Sequence, residues 1–276
     1  MLNKSILITG CSSGIGLCVA VGLKARGYRV FATARKETDV QQLAAAGLES
    51  LRLDLADSGS IAAAVDEVLS RTDGILDALF NNGAYGQPGA VEDLSRDVLR
   101  AQFETNLFGW HELTNRLLPV MRRQGHGRII QNSSVLGFVA LRYRGAYNAS
   151  KYALEGLSDT LRLELTGTDI HVSLLEPGPV TSRFRENAFR AYQENIIPDS
   201  SVHREKYLAM ETRLKTEGPV VPFTLPPEAV LKKVIHALES RHPRARYYVT
   251  FPTYLFGFLK RVLSTRLLDK VLNKVG

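Results

Sequence analysis

Tyr147 and Lys151 stand four residues apart in Tyr147-Asn148-Ala149-Ser150-Lys151. In a helix that spacing puts both side chains on one face, so a phenol and an ammonium can point into one site. A free phenol has a pKa of about 10 and exchanges protons poorly at neutral pH, but a neighbouring cation favours the phenolate and lowers that value. The pair is thus a candidate acid–base couple. Such pairs also arise by chance on many helices. Ser134, thirteen residues upstream at the end of an expected strand, strengthens the case, as does Asn106 in the helical stretch before that strand.

A second motif carries a different chemistry. Thr9-Gly10-Cys11-Ser12-Ser13-Gly14-Ile15-Gly16 follows the first expected strand and opens the first expected helix. Glycines serve where a chain turns tightly and where a pyrophosphate must approach the backbone, and the helix N-terminus adds free N–H groups and a positive dipole end. The spacing is Gly-x-x-x-Gly-x-Gly, unlike the Gly-x-Gly-x-x-Gly of longer dehydrogenases. A Gly-rich turn without a ligand is the plain alternative. The second strand ends Phe31-Ala32-Thr33-Ala34-Arg35. Ala34 stands where an NAD enzyme carries an acid for the ribose 2′-hydroxyl, and Arg35 suits a 2′-phosphate. With Ser12 able to add a hydroxyl, NADP(H) is favoured over a surface arginine.

The elements that would position these residues alternate. Strands are expected near 5–9, 28–33, 49–53, 76–81, 127–133, 171–176 and 246–250, with helices near 14–26, 38–46, 58–71, 95–123, 147–165 and 226–239. Ile6-Leu7-Ile8 and Val172-Ser173-Leu174-Leu175 are apolar on both faces, which calls for helices on both sides. The expected fold is α/β: a single, doubly wound parallel sheet of the Rossmann type over residues 1–250, followed by a basic amphipathic tail at 251–276. Residues 181–225 break the rhythm and end in Pro219, Pro222, Pro226 and Pro227; a connection that long reads as a lid.

The glycine pattern, Asn81-Asn82-Gly83-Ala84, Asn106, Ser134, Tyr147, Lys151 and Pro177-Gly178-Pro179-Val180 together resemble the short-chain dehydrogenase/reductase family, in its single-domain branch. The resemblance runs from about residue 4 to 182 and onward to 250. It is nearest the branch of retinol dehydrogenases, 17β-hydroxysteroid dehydrogenases and bacterial NADP-dependent aldehyde reductases. It implies that Tyr147 is the general acid in carbonyl reduction and that Ser134 holds the substrate carbonyl. Lys151 would lower the tyrosine pKa and hold the nicotinamide ribose, and Asn106 would anchor a water relaying protons to it. Gly10, Ser12, Ser13, Gly14, Ile15 and Gly16 would cradle the cofactor, with Arg35 on the 2′-phosphate. Asn82 and Gly83 would lie by the adenosine, and Leu55, Pro177, Gly178, Val180 and Thr181 would complete the cofactor site. Asp54 would contact the adenine amino group or simply make a turn. The family usually reads Asn-Asn-Ala-Gly where this chain has Gly83-Ala84.

The substrate wall is expected from residues 136–144 and the lid: Leu136, Phe138, Val139, Phe184, Phe189 and Tyr192 indicate an apolar pocket. Arg142 and Arg144 would meet a substrate anion or be solvated. The leading expectation is an NADPH-dependent reductase of apolar aldehydes or ketones, reversible to alcohol oxidation. A 3-oxoacyl reductase acting on carrier- or CoA-linked ketones, and a non-catalytic dinucleotide sensor, are the alternatives. Residues 241–276 hold eight Lys/Arg and only Asp269, so the whole formal surplus of +7 sits in the tail. A basic tail on a neutral body does not fit nucleic acid; it fits an anionic membrane surface, an acidic partner, or a helix docked on the body or a sister subunit. A homodimer or homotetramer is expected by resemblance. Two cysteines, Cys11 and Cys18, six histidines without ligand spacing and no 18-residue apolar run point to no disulfide framework, no metal and no membrane span. The strand-like start reads as cytoplasmic rather than secreted, so Asn-x-Ser matches at Asn3, Asn132 and Asn148 are taken as chance.

Overall fold

The computed structural model describes residues 4–216, 218 and 221–275; Asn3 and Pro219 lie outside them. Seven strands form one parallel sheet: β1 (Ser5–Ile8), β2 (Arg29–Ala34), β3 (Glu49–Arg52), β4 (Ala78–Asn81), β5 (Gly127–Asn132), β6 (Ile170–Glu176) and β7 (Arg246–Tyr248). Their order is β3-β2-β1-β4-β5-β6-β7, all neighbours parallel.

The two-residue alternation of the strands divides the core. Ile6, Ile8, Val30, Ala32 and Phe80 face helices α1 (Gly14–Ala25), α2 (Glu37–Ala45) and α9 (Glu228–Glu239). Leu7, Phe31, Leu79, Ile129 and Val172 face α3 (Ser58–Arg71), α5 (Gly109–Gln124) and α6 (Gly145–Glu164). Strands buried on both sides need apolar residues at consecutive positions, which is why these runs do not alternate with polar ones. The chain reverses its winding between β1 and β4, and the crevice at the carboxyl ends of those strands receives the glycine-rich turn and Asn82-Gly83.

Two features depart from the expected elements, and the tail takes one of the forms expected of it. The helix expected over 95–123 is α4 (Arg96–Phe103) and α5 joined by a π segment, Glu104–Phe108, which holds Asn106. The lid contains two helices, α7 (Phe184–Asn195) and α8 (Arg204–Lys215), with a small core of Tyr192, Tyr207, Ala188 and Leu214 against Ala90. Its ends are pinched together, for Thr181 N–H donates to Leu225 O and Leu225 N–H to Pro179 O. The tail forms α10 (Phe251–Val262) and α11 (Thr265–Leu272), and both bury one face on the body. Among the described residues, no helix is long and apolar enough to cross a membrane.

Candidate active site

The glycines after β1 are sites of enforced close approach. Gly10 has φ +71°, and a Cβ there would stand 2.5 Å from Gly83 Cα; one on Gly16 would overlap Gly10 O. Gly83 in turn leaves 3.1 Å between a built Cβ and Leu55, so this chain needs its smallest residue at 83 and accepts Ala84 in the core beside it. Thr9 ties the two turns, its hydroxyl accepting from the N–H groups of Asn82 and Gly83. Ser13 precedes α1 without a side-chain cap, so the first N–H groups of that helix are left for a ligand. A cradle that any Cβ would fill, opening on an uncapped helix N-terminus, fits the pyrophosphate of a dinucleotide.

Several residues expected at the cofactor also brace the fold. Asn82 donates to Thr9 O and Gly10 O and accepts from Asn132 Nδ2, so both ends of its amide are engaged with protein. Asp54 accepts from Ala56 N–H and makes a turn. A Cβ on Gly178 would strike Thr250, so that glycine lets the turn after β6 pack. Pro177 O accepts from Val135 N–H, holding the loop after β5. Leu55 is buried against Gly109, while Val180 is half-buried and Thr181 exposed. Ser12 and Arg35 are exposed at the cradle rim, and Arg35 lies near Tyr85 with no ion-pair partner among the described residues. The Cys11 thiol donates to Ile8 O, and burial pushes it up to about 12.

Ser134, Tyr147 and Lys151 converge across the ends of β5 and α6. Ser134 ends the extended stretch after β5, and its hydroxyl accepts from Leu136 N–H at 3.1 Å. Burial pushes the Tyr147 phenol up to about 12, and the opposing pull comes from the Ser134 hydroxyl and the Arg144 charge, not from Lys151 as the spacing led one to expect. Lys151 is itself only 1% exposed. Its Nζ donates to Asn132 O at 2.9 Å, lies 4.1 Å over the Trp110 ring and 5.8 Å from the centre of the Tyr147 ring. Desolvation lowers it to about 7, against a small upward pull from Glu155. Asn106 Oδ1 accepts from Tyr85 N–H, and its Nδ2 donates to Tyr85 O and Ser150 Oγ. That side chain fixes the loop after β4.

Sequence reasoning missed Asn132 and Trp110, and it placed Arg144 at the pocket mouth without pairing it with Tyr147. Asn132 joins Asn82 to Lys151, and its place two residues before Ser134, on the same side of an extended chain, was the available signal. Trp110 donates to Gly83 O and floors the lysine pocket. Arg144 precedes α6 beside Tyr147 and is lowered to about 10 by burial and by Arg213 of the lid.

The apolar wall is narrower than expected. Leu136 and Val139 pack with Phe256 and Leu272, and Tyr147 lies against this group. Phe184 meets the Tyr147 ring edge-on, 5.2 Å between centres. Phe138 packs against the same group and also stacks on Tyr248, whereas Phe189 and Tyr192 belong to the lid's own core. Arg142 is spent on the tail, bonding Asn273.

A phenol, a hydroxyl and a buried amine beside a dinucleotide cradle can move a hydride and a proton between a cofactor and a carbonyl. The comparisons agree. Residues 4–193 match the family model described as short chain dehydrogenase. The chain is 43% identical over 273 residues to the uncharacterized oxidoreductase YbbO of Escherichia coli (strain K12), covering 99% of this chain and 95% of that one. It is 34% identical over 266 residues to human 17-beta-hydroxysteroid dehydrogenase type 1, covering 91% and 78%. Its fold matches a short-chain dehydrogenase from Streptomyces avermitilis with a TM-score of 0.77 at 29% identity, covering 99% and 97%. The chain belongs to the short-chain dehydrogenase/reductase family and is an oxidoreductase of CH–OH and carbonyl groups that works with a nicotinamide dinucleotide.

Proposed function

We propose that this oxidoreductase reduces an apolar aldehyde or ketone to its alcohol with NADPH, the oxidation being the reverse reaction. One observation carries the reading: the Tyr147 phenol has Ser134 on its polar side and Leu136, Val139, Phe256, Leu272 and Phe184 on the other. Such a setting takes hydrocarbon and leaves one polar corner for a carbonyl oxygen. NADPH, when bound, supplies the hydride. Tyr147, protonated at neutral pH, donates its proton to the oxygen as charge develops there. Ser134 hydrogen-bonds the same oxygen, Arg144 sets positive charge by the phenol as it becomes phenolate, and Lys151, aimed by Asn132 and Trp110, stands behind it. Arg35, unpaired beside Ala34 where an acid would bind a 2′-hydroxyl, supports NADPH over NADH. The steroid named in one relative's description is likewise an apolar ketone or alcohol.

The test is NADPH and NADH consumption over straight-chain aldehydes of increasing length. Turnover with NADPH should rise with length, and Tyr147→Phe should lose roughly 100- to 10,000-fold while binding NADPH normally. Arg35→Ala should weaken NADPH and spare NADH. Tighter binding of NADH, or turnover surviving in Tyr147→Phe, refutes the assignment. NADPH binding without turnover of any aldehyde would move the substrate to a carrier-linked 3-oxoacyl group.

A further inference from the structure

The chemistry leaves unused a continuous apolar face on the tail. Phe251, Tyr254, Leu255, Phe258 and Val262 recur at i, i+3, i+4, i+7 and i+11 of α10, one stripe of a helix, and are 38% to 61% exposed. Phe223 of the lid extends the stripe, 57% exposed with its ring 4.9 Å from that of Phe251. The stripe cannot turn inward. The opposite face of α10, with Thr253, Phe256 and Gly257, is buried, and a Cβ on Gly257 would stand 2.7 Å from the Tyr248 ring.

Charge says what belongs on it. Arg241, Arg244, Arg261, Arg266, Lys270 and Lys274 are all exposed, and among the described residues none has a carboxylate at ion-pair distance. An aromatic and aliphatic stripe on a tail whose cations Arg261, Arg266, Lys270 and Lys274 are unneutralised is complementary to an anionic surface with hydrocarbon beneath it. The stripe offers no carboxylate or amide to fix a register with a protein groove. The cations are spread over the 241–244 loop, α10 and α11 rather than gathered to face one acidic patch.

We propose that α10 lies in the headgroup boundary of an anionic phospholipid bilayer, its stripe towards the acyl chains and the tail's cations on lipid phosphates. The same tail packs Phe256, Leu268, Val271 and Leu272 around the wall that holds Tyr147, so docking brings the apolar site beside the lipid. That consequence rests on the proposed carbonyl chemistry; the docking does not.

Flotation of the full-length protein reads binding without turnover. Vesicles of phosphatidylcholine with about 30% phosphatidylglycerol should carry it at low salt, pure phosphatidylcholine much less, and raising salt to roughly 0.5 M should release it. Phe258→Glu should weaken partition by about ten-fold or more, because it sets a charge among the apolar anchors. The pair Lys270→Glu and Lys274→Glu should flatten the salt dependence. Both variants should turn over a short, water-soluble aldehyde as the parent does. Failure to float on the anionic vesicles, or flotation unchanged by Phe258→Glu, overturns the proposal. So does a fall in particle mass on Phe258→Glu by light scattering, which would give the face to a second copy of the chain.

Discussion

Lys151 is buried at the end of its stem, bonded to one carbonyl and lying on an indole ring, with its pKa lowered from 10.5 to about 7. Below that folded value both folded and unfolded chains hold the proton, and the lysine adds no pH dependence. Between the folded and unfolded values the unfolded chain binds one more proton, so stability rises with pH by about 1.4 kcal/mol per unit, some 4–5 kcal/mol in total. Above the unfolded value the curve is flat again. Lys151→Met keeps the length of the stem and removes the charge, so this slope should vanish. Urea unfolding of the cofactor-free proteins at roughly pH 7, 8 and 9 measures it, and other titrations cancel in the difference. Over those two units the wild-type curve should gain ~2–3 kcal/mol on the variant. Parallel curves would mean that Lys151 stays charged inside the fold, and the desolvation argument would be wrong.

Gly10→Ala combines a left-handed backbone with a contact on Gly83, so it should lower stability by more than about 2 kcal/mol and abolish NADPH binding by calorimetry. Arg246 bridges buried Glu155 and Glu176, whose carboxyls burial already pushes up. Arg246→Met should cost about 3–5 kcal/mol, and less in acid, because those carboxyls then take up protons the unfolded chain has yet to bind; a melting temperature independent of pH would contradict this. The Tyr207 hydroxyl accepts from Ala90 N–H at 2.9 Å and donates to Asp93, clamping α8 to the body. Tyr207→Phe should cost about 1–3 kcal/mol and raise KM for long aldehydes more than it lowers kcat, which steady-state kinetics on a chain-length series would show.

The chain's local patterns determined the sheet, its flanking helices and the glycine cradle. Consecutive apolar positions in Ile6-Leu7-Ile8, glycines on a strand-to-helix turn and the four-residue step from Tyr147 to Lys151 all act over a few residues, where spacing alone sets direction. The lid helices were illegible because they are mostly polar: α8 buries only Tyr207 and Leu214, too few for a helical period to stand out. The widened turn at Glu104–Phe108 left no mark either, since it changes backbone bonding and not residue type. Tertiary structure alone decided which groups act on which. Asn132 and Trp110 aim Lys151 from β5 and α5, the Arg144 charge rather than that of Lys151 acts on Tyr147, and the tail covers the apolar wall. Burial and electrostatic fields depend on neighbours brought from far along the chain, and no spacing within one segment encodes them.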